Sequence, residues 1–258
     1  MMRLRLRLSY VGTGFCGWQI QEKADPPRTV QGELEKALAV LCRVPVRAFG
    51  SGRTDTGVHA VAQTVHCDVP DGRIIRDWRN SLNALLPKDV RVLEAAPCAP
   101  GFHARKDALC KTYAYRFWRD KRFLPPEAAS FVWACGPLDE NSMRKALPHL
   151  LGRHDFASLQ NAGTDVESTI RTVTHCILEE MPQREFYPPH VPELRLLVTA
   201  DGFLKQMVRN MAGLLAAVGR GSLSPDDIPS ILEKAARQGN PAVMAPAAGL
   251  TLVSVTYP

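Results

Sequence analysis

The sequence predicts an α+β protein built as two halves, and three observations predict it. Strand-period and helix-period segments follow one another as β-α-β-β-α-β across the first half. The same order returns loosely in the second half, although the residues do not repeat. The 258 residues, 45% of them apolar, suffice for one large core or two small ones. Two split β-α-β units of this kind place mainly antiparallel sheets beneath flanking helices, with a cleft between the halves. The expected division is an N-terminal domain at 1–105 and a C-terminal domain at 106–258, the boundary falling within 98–110.

The elements follow in order. Leu4, Leu6, Leu8 and Tyr10 alternate with Arg3, Arg5, Arg7 and Ser9, the period of a strand with one buried face. After "GTGFCGWQ" and the pair Pro26-Pro27, Thr29 can cap a helix carrying Val30, Leu34, Leu38 and Leu41. "VPVRAF" reads as a second strand and "AQTVHCDV" as a third. A helix through Ile75, Trp78, Leu82 and Leu85 stops at Pro87, and "DVRVLEA" is a fourth strand. In the second half, "KTYAYRFW" is a strand and "DENSMRKALPHLL" holds a helix. Strands follow at "STIRTVTHCILEE" and "ELRLLVTA", helices at "FLKQMVRNMAGLLAAV" and "DDIPSILEKAARQ", and a last strand at "GLTLVSVTY". "EEMPQREFYPPHVPE", with four prolines and no period, reads as a loop between two strands.

A net charge of +6 favours an anionic partner. The seven cysteines form no C-x-x-C pair, so they match neither a zinc site nor a disulfide framework, and reduced thiols in a cytoplasmic protein are the simplest reading. "MMRLRLRLSYV" alternates charge with leucine and lacks the apolar centre of a signal peptide; no run is long enough to span a bilayer.

Chemistry concentrates in "GSGRTDTGVHA", where Asp55 stands between Arg53 and His59 on a glycine-rich backbone. By itself Asp55 reads as a turn aspartate. The stretch is not a phosphate-binding P-loop, because the G-K-[ST] ending is missing. Gly12, Gly14 and Gly17 match a dinucleotide-binding turn, but Pro26-Pro27 arrives before the helix such a turn requires. Asp55, His59, His66 and Asp68 could form a metal site; against it, His66 and Asp68 fall on the same strand face and read as its solvated side. On the helix expected from Phe203, Met207, Met211, Leu214 and Val218 complete an apolar stripe, whereas Arg209 heads a line of small residues, Ala212, Gly213 and Ala216. Another backbone can approach that line, and an arginine packed there calls for an acidic partner, for which Asp55 is the choice. Tyr113 shares a strand face with Tyr115 and Phe117, either as core or as a platform for a base. "FHARKD" is either a solvated linker or a set of phosphate contacts.

Together these residues resemble the tRNA pseudouridine synthase A family, which isomerises uridines 38 to 40 in the anticodon arm. The likeness spans nearly the whole chain, from "YVGTGFCGWQ" and "GRTDTGVHA" through "FHAR", "KTYAY" and "FLKQMVRNMAGLL" to "GLTLVSVTYP". It implies a pseudouridine synthase fold of two ferredoxin-like halves. Asp55 would be the catalytic aspartate, Tyr113 the active-site aromatic beneath the base and Arg209 the partner of Asp55. It further implies substrate contacts from Arg53, which would help displace the base, and from Thr54, His59, Phe102, His103, Arg105 and Lys205. The remaining implications are a tRNA substrate, a homodimer, no membrane association, and neither metal nor organic cofactor. Thr56 departs from the alanine usual after the aspartate, and the proline-rich 181–192 loop is peculiar to this chain.

Pseudouridine formation breaks the bond from N1 to C1′, turns the uracil and joins C5 to C1′. Asp55 could add to C1′, add to C6 or take the C2′ proton; Tyr113 could remove the C5 proton or simply stack. Two rivals differ in class: an RNA-binding protein without catalysis, and a metal-dependent hydrolase built on Asp55, His59 and His66.

Overall fold

The structure is a computed structural model that describes residues 1–72, 75–161, 163, 166–181, 193–234 and 239–258. The chain packs as two compact units, Met1–Leu109 together with Thr251–Pro258, and Cys110–Leu250. Most strand ladders are antiparallel, and helices accompany the sheet of each unit.

In the first unit the order is β1 (Met2–Tyr10), α1 (Val30–Cys42), β2 (Ala48–Gly50), β3 (His59–Val69), α2 (Trp78–Leu85) and β4 (Val90–Pro97). β1 lies between β3 and β4, antiparallel to both, and β2 pairs antiparallel with β3. The alternation read from β1 is realised: Leu4, Leu6 and Leu8 are fully buried. They form the core with Val30, Leu34 and Leu38 of α1 and Leu82 of α2, each such burial contributing roughly 1.5–3 kcal/mol. Thr29 caps α1 as expected, its side chain accepting the Gly32 amide. Asp77 does the same for α2 by accepting from Asn80, so Ile75 stands outside that helix. "VPVRAF" forms a strand only from Ala48 onward.

The second unit runs β5 (Cys110–Trp118), α3 (Pro126–Ala129), β6 (Trp133–Ala134), α4 (Glu140–Ala146), β7 (Gly152–Asp155), β8 (Ile170–Glu180), β9 (Glu193–Ala200), α5 (Met207–Gly219) and α6 (Asp227–Glu233). Its antiparallel ladders join β5 to β9, β9 to β8 and β8 to β7, while β6 runs parallel to β5. The last strand, β10 (Leu250–Thr256), pairs parallel with β3 through Thr251 opposite His59 and Leu252 opposite Ala60. Residues 251–258 thus pack with the first unit although they follow the second in sequence.

One helix starts later than its periodicity suggests. Gln206 adopts the left-handed conformation at φ 62°, ψ 11°, and α5 begins only after it. Phe203 and Lys205 therefore lie in the preceding loop, not on the helical stripe. Of the loop expected at 179–193, residues 182–192 lie outside the described residues, as do 235–238 of the helix expected at 226–238.

Candidate active site

Asp55 sits in the loop that leaves β2 and enters β3, half-buried, and the residues on both sides of it are fixed. Before it, the Thr54 carbonyl accepts the Trp18 amide at 3.0 Å, and the Thr54 hydroxyl bonds the Tyr10 hydroxyl at 2.8 Å in a buried setting. Behind it, the Val58 amide donates to the Asp55 carbonyl at 3.1 Å and the Gly57 amide to the Phe15 carbonyl at 3.3 Å. Further back, the fully buried Gln63 donates to the Gly52 carbonyl at 2.8 Å and pairs with the Ser51 hydroxyl. Burial pushes the Tyr10 phenol well above its ordinary value, so it keeps its proton for the Thr54 bond.

The 12–18 segment that supplies these contacts explains the glycines of "GTGFCGWQ". Gly17 has φ +81°, and a Cβ there would stand 2.6 Å from the Thr54 carbonyl oxygen. Only glycine combines that dihedral with so close a backbone. Arg28 steadies the segment from outside, its guanidinium 4.1 Å from the Phe15 ring centroid and in a two-pronged bond to Asp89 at 2.7 and 2.9 Å.

The other residues expected in the first unit have distinct positions. Arg53 is exposed and donates to Gln19 at 3.2 Å. His59 is 2% exposed, and its Nδ1 accepts the Gly12 amide at 3.0 Å. Phe102 and His103 are half-buried and Arg105 is exposed, in a turn whose His103 Nδ1 accepts the amides of Arg105 and Lys106 at 3.1 and 3.2 Å.

Here one expectation fails. His66 is not on a solvated face but 3% exposed, because Phe49 stacks on it at 5.0 Å and 17° while His103 stands 4.6 Å away. Its Nδ1 accepts the Ala104 amide at 3.1 Å. Burial, then His103 and Arg3, lowers its pKa to about 4. Asp68 is held by Arg3 at 2.6 and 2.7 Å, and that bond keeps its carboxyl below the usual range. No cluster of three His, Cys, Asp or Glu side chains suited to a metal occurs among the described residues.

In the second unit, Tyr113 of β5 lies opposite Val198 of β9 and is 9% exposed. The Phe203 ring meets it edge to face at 5.0 Å and 86°, an arrangement that fixes the ring plane. Arg209 is half-buried on α5, and its Nε donates to the Ala245 carbonyl at 2.8 Å. The Ala245 amide returns a bond to the Arg209 carbonyl at 3.2 Å. The small-residue line does admit another backbone: a Cβ on Gly213 would lie 2.0 Å from the Val243 carbonyl oxygen. Tyr115 grips the same segment, donating to the Pro246 carbonyl at 2.8 Å, so Arg209 and the Tyr113–Tyr115 strand face share one brace. Lys205 is exposed, its carbonyl accepting the Asn161 amide at 3.2 Å. Sequence reasoning missed Tyr10, Trp18, Gln63 and Phe203, and the glycine spacing of "GTGFCGW" was the available signal for the first two.

The first unit thus presents a half-buried carboxylate on a loop fixed at both sides; in the second, the Tyr113 ring is set by Phe203 and the Arg209 guanidinium by the Ala245 carbonyl. The chain matches the family model described as tRNA pseudouridine synthase at residues 8–105 and 146–258. It is 49% identical over 278 residues to a protein of Nitratidesulfovibrio vulgaris strain Miyazaki F named tRNA pseudouridine synthase A, covering 100% of both chains. Proteins of that same name from Lawsonia intracellularis and Geobacter sp. strain M21 are 47% and 37% identical, again over 100% of each chain. With a family model matched on both sides of the chain and full-length relatives at this identity, the chain belongs to the tRNA pseudouridine synthase family.

Proposed function

We propose that this isomerase of tRNA uridines acts at positions 38–40 of the anticodon arm, with Asp55 as nucleophile or base. The observation that carries the reading is the fixed Asp55 loop, hydrogen-bonded at Thr54 on one side and at Gly57 and Val58 on the other. A carboxylate so held meets the reacting sugar or base without first reorganising its backbone. Tyr113 stacks on the uracil or takes its C5 proton; its edge contact with Phe203 supports a fixed ring. Arg209 pairs with Asp55 and keeps it ionised, since a neighbouring guanidinium lowers a carboxylate pKa by roughly 1 to 3 units.

Isomerisation conserves every atom of the nucleotide, so the residues need only cleave one glycosidic bond, hold the freed uracil while it turns, and return a proton balance of zero. The target must leave its stack, at a cost of a few kcal/mol. Arg53, Phe102, His103, Arg105 and Lys205 supply substrate contacts, while Thr54 and His59, buried against Tyr10 and Gly12, act by holding the loop in place. The protein works in the cytoplasm as a homodimer; no described helix is long and apolar enough to cross a membrane. Each unit is a ferredoxin-like half, a reading supported in the first by β4, β1, β3 and β2 lying in that order. The test is to incubate unmodified tRNA with the protein, label pseudouridine selectively with acrylonitrile because the isomers have equal mass, and map the labelled positions by mass spectrometry. Pseudouridine at positions 38–40 is the expected result, and its absence there overturns the reading.

A further inference from the structure

A row of side chains crosses the first unit's sheet without entering the chemistry above. Arg5 of β1 stands opposite His66 of β3, and His66 stands opposite Phe49 of β2. His66 is buried, yet Phe49 is 46% exposed although it is a large apolar side chain. Its ring lies nearly parallel to the imidazole, at 5.0 Å and 17°, so one face is backed and the ring plane is set. His103 flanks it at 6.3 Å. An aromatic ring held flat with solvent beside it is the form of a stacking platform, and any base can use it because every base has a π-face.

The charges around the ring select an anionic chain. Arg3 and Arg7, on the same strand face as Arg5, bind Asp68 and Glu94. Arg5 instead lies over the rings of Phe102 and Tyr257, at 5.3 and 4.7 Å from their centroids, and is exposed. Arg105 and Lys106 are also exposed, in the turn organised by His103. The acid of that turn, Asp107, is engaged by the His103 amide at 2.8 Å. A double helix hides its base faces, so only an unpaired nucleotide can use the platform.

We infer that Phe49, backed by His66, stacks an unpaired base of an RNA strand, with Arg5, Arg105 and Lys106 contacting the adjoining phosphates. This rests on the reading of the protein as one that acts on RNA, and it adds a contact site on β2 that the catalytic residues do not include.

The test measures the affinity of the full chain for a ten-residue oligocytidylate and for a G·C-paired RNA duplex of equal length. Neither contains uridine, so binding is read apart from turnover, and failed isomerisation in the tRNA assay leaves this result intact. Phe49→Ala should weaken oligocytidylate binding about tenfold and duplex binding less than about twofold. Phe49→Tyr, which keeps the ring, should restore the parental value. Arg5→Gln should weaken both ligands and flatten the dependence on salt. Unchanged oligocytidylate affinity in Phe49→Ala, or an equal loss on both ligands, overturns the inference. So does a change in sedimenting mass in Phe49→Ala, which would make this face a contact between proteins.

Discussion

The hydroxyls of Tyr10 and Thr54 meet at 2.8 Å inside the first unit, tying the end of β1 to the residue that precedes Asp55. The position of the carboxylate is thereby set by a strand distant in sequence. Tyr10→Phe removes this tie and leaves the Thr54 oxygen short of a partner where water does not reach. Unfolding free energy should fall by about 1–2 kcal/mol, read by urea titration, and turnover should fall with it. Equal stability and equal rate would mean that the bond does not hold the loop.

Gly17→Ala should be more damaging than an alanine elsewhere in the 12–18 segment. It imposes a Cβ at φ +81° and 2.6 Å from the Thr54 carbonyl, a strain of order 1–3 kcal/mol. The loop yields by moving Asp55, so the single-turnover rate should drop at least about tenfold while tRNA affinity changes little. Parental rates in this variant would separate the 12–18 segment from the active site.

Asp55→Asn should abolish pseudouridine formation while tRNA binding is kept, because the amide preserves shape and loses the reactive charge. Turnover within tenfold of the parent removes Asp55 from the chemistry. Tyr113→Phe keeps the ring against Phe203 and deletes only the hydroxyl. A fall of roughly 10² to 10⁴ in rate identifies that hydroxyl as the proton acceptor; an unaltered rate leaves stacking as its role.

Arg209→Lys keeps a charge and loses the Nε that donates to the Ala245 carbonyl. The expected outcome is a lower single-turnover rate at nearly parental tRNA affinity, with the acidic limb of the pH profile moved upward as Asp55 loses stabilisation. Weaker binding at a parental rate would place Arg209 among the RNA contacts instead.

His66 gives a pH dependence whose sign follows from its pKa of about 4 in the fold. The unfolded ring titrates near 6.5, so between these values the unfolded chain binds a proton that the folded one refuses. Stability should therefore decline as pH falls from about 6.5 to 4, by at most about 3 kcal/mol from this residue, and its share should stay level below that. His103, Arg3, Asp68 and Asp107 act on His66 electrostatically, and Arg5 stands opposite it on β1. Urea titrations across this range should show a shallower decline for His66→Gln; identical slopes would assign the effect to other groups.

Much of the architecture could be read directly from spacing. Leu4, Leu6 and Leu8 alternate with arginines because one face of β1 is core, and Thr29 precedes α1 because an exposed amide needs an acceptor. The start of α5 could not be read, since the left-handed Gln206 has no local signature and its side chain is held by Asn161 from another part of the unit. His66 misled for a related reason: alternation shows which residues share a face but not what later segments, here the turn at 102–104, come to cover it. Asp55, Tyr113 and Arg209 stood out as residue types in motifs, whereas Tyr10 and Gln63 are ordinary strand residues until their partners are known.

The parallel pairing of β10 with the first residues of β3 sets an order of events during synthesis. The strand that borders the Asp55 loop emerges from the ribosome only after the whole second unit, which interrupts the first in sequence. A nascent chain can close the ladders among β1, β3 and β4 early, from residues close to the N-terminus, but His59 and Ala60 must wait for Thr251 and Leu252. The start of β3, where the Asp55 loop ends, therefore gains its parallel neighbour last, and a chain arrested before β10 lacks that neighbour.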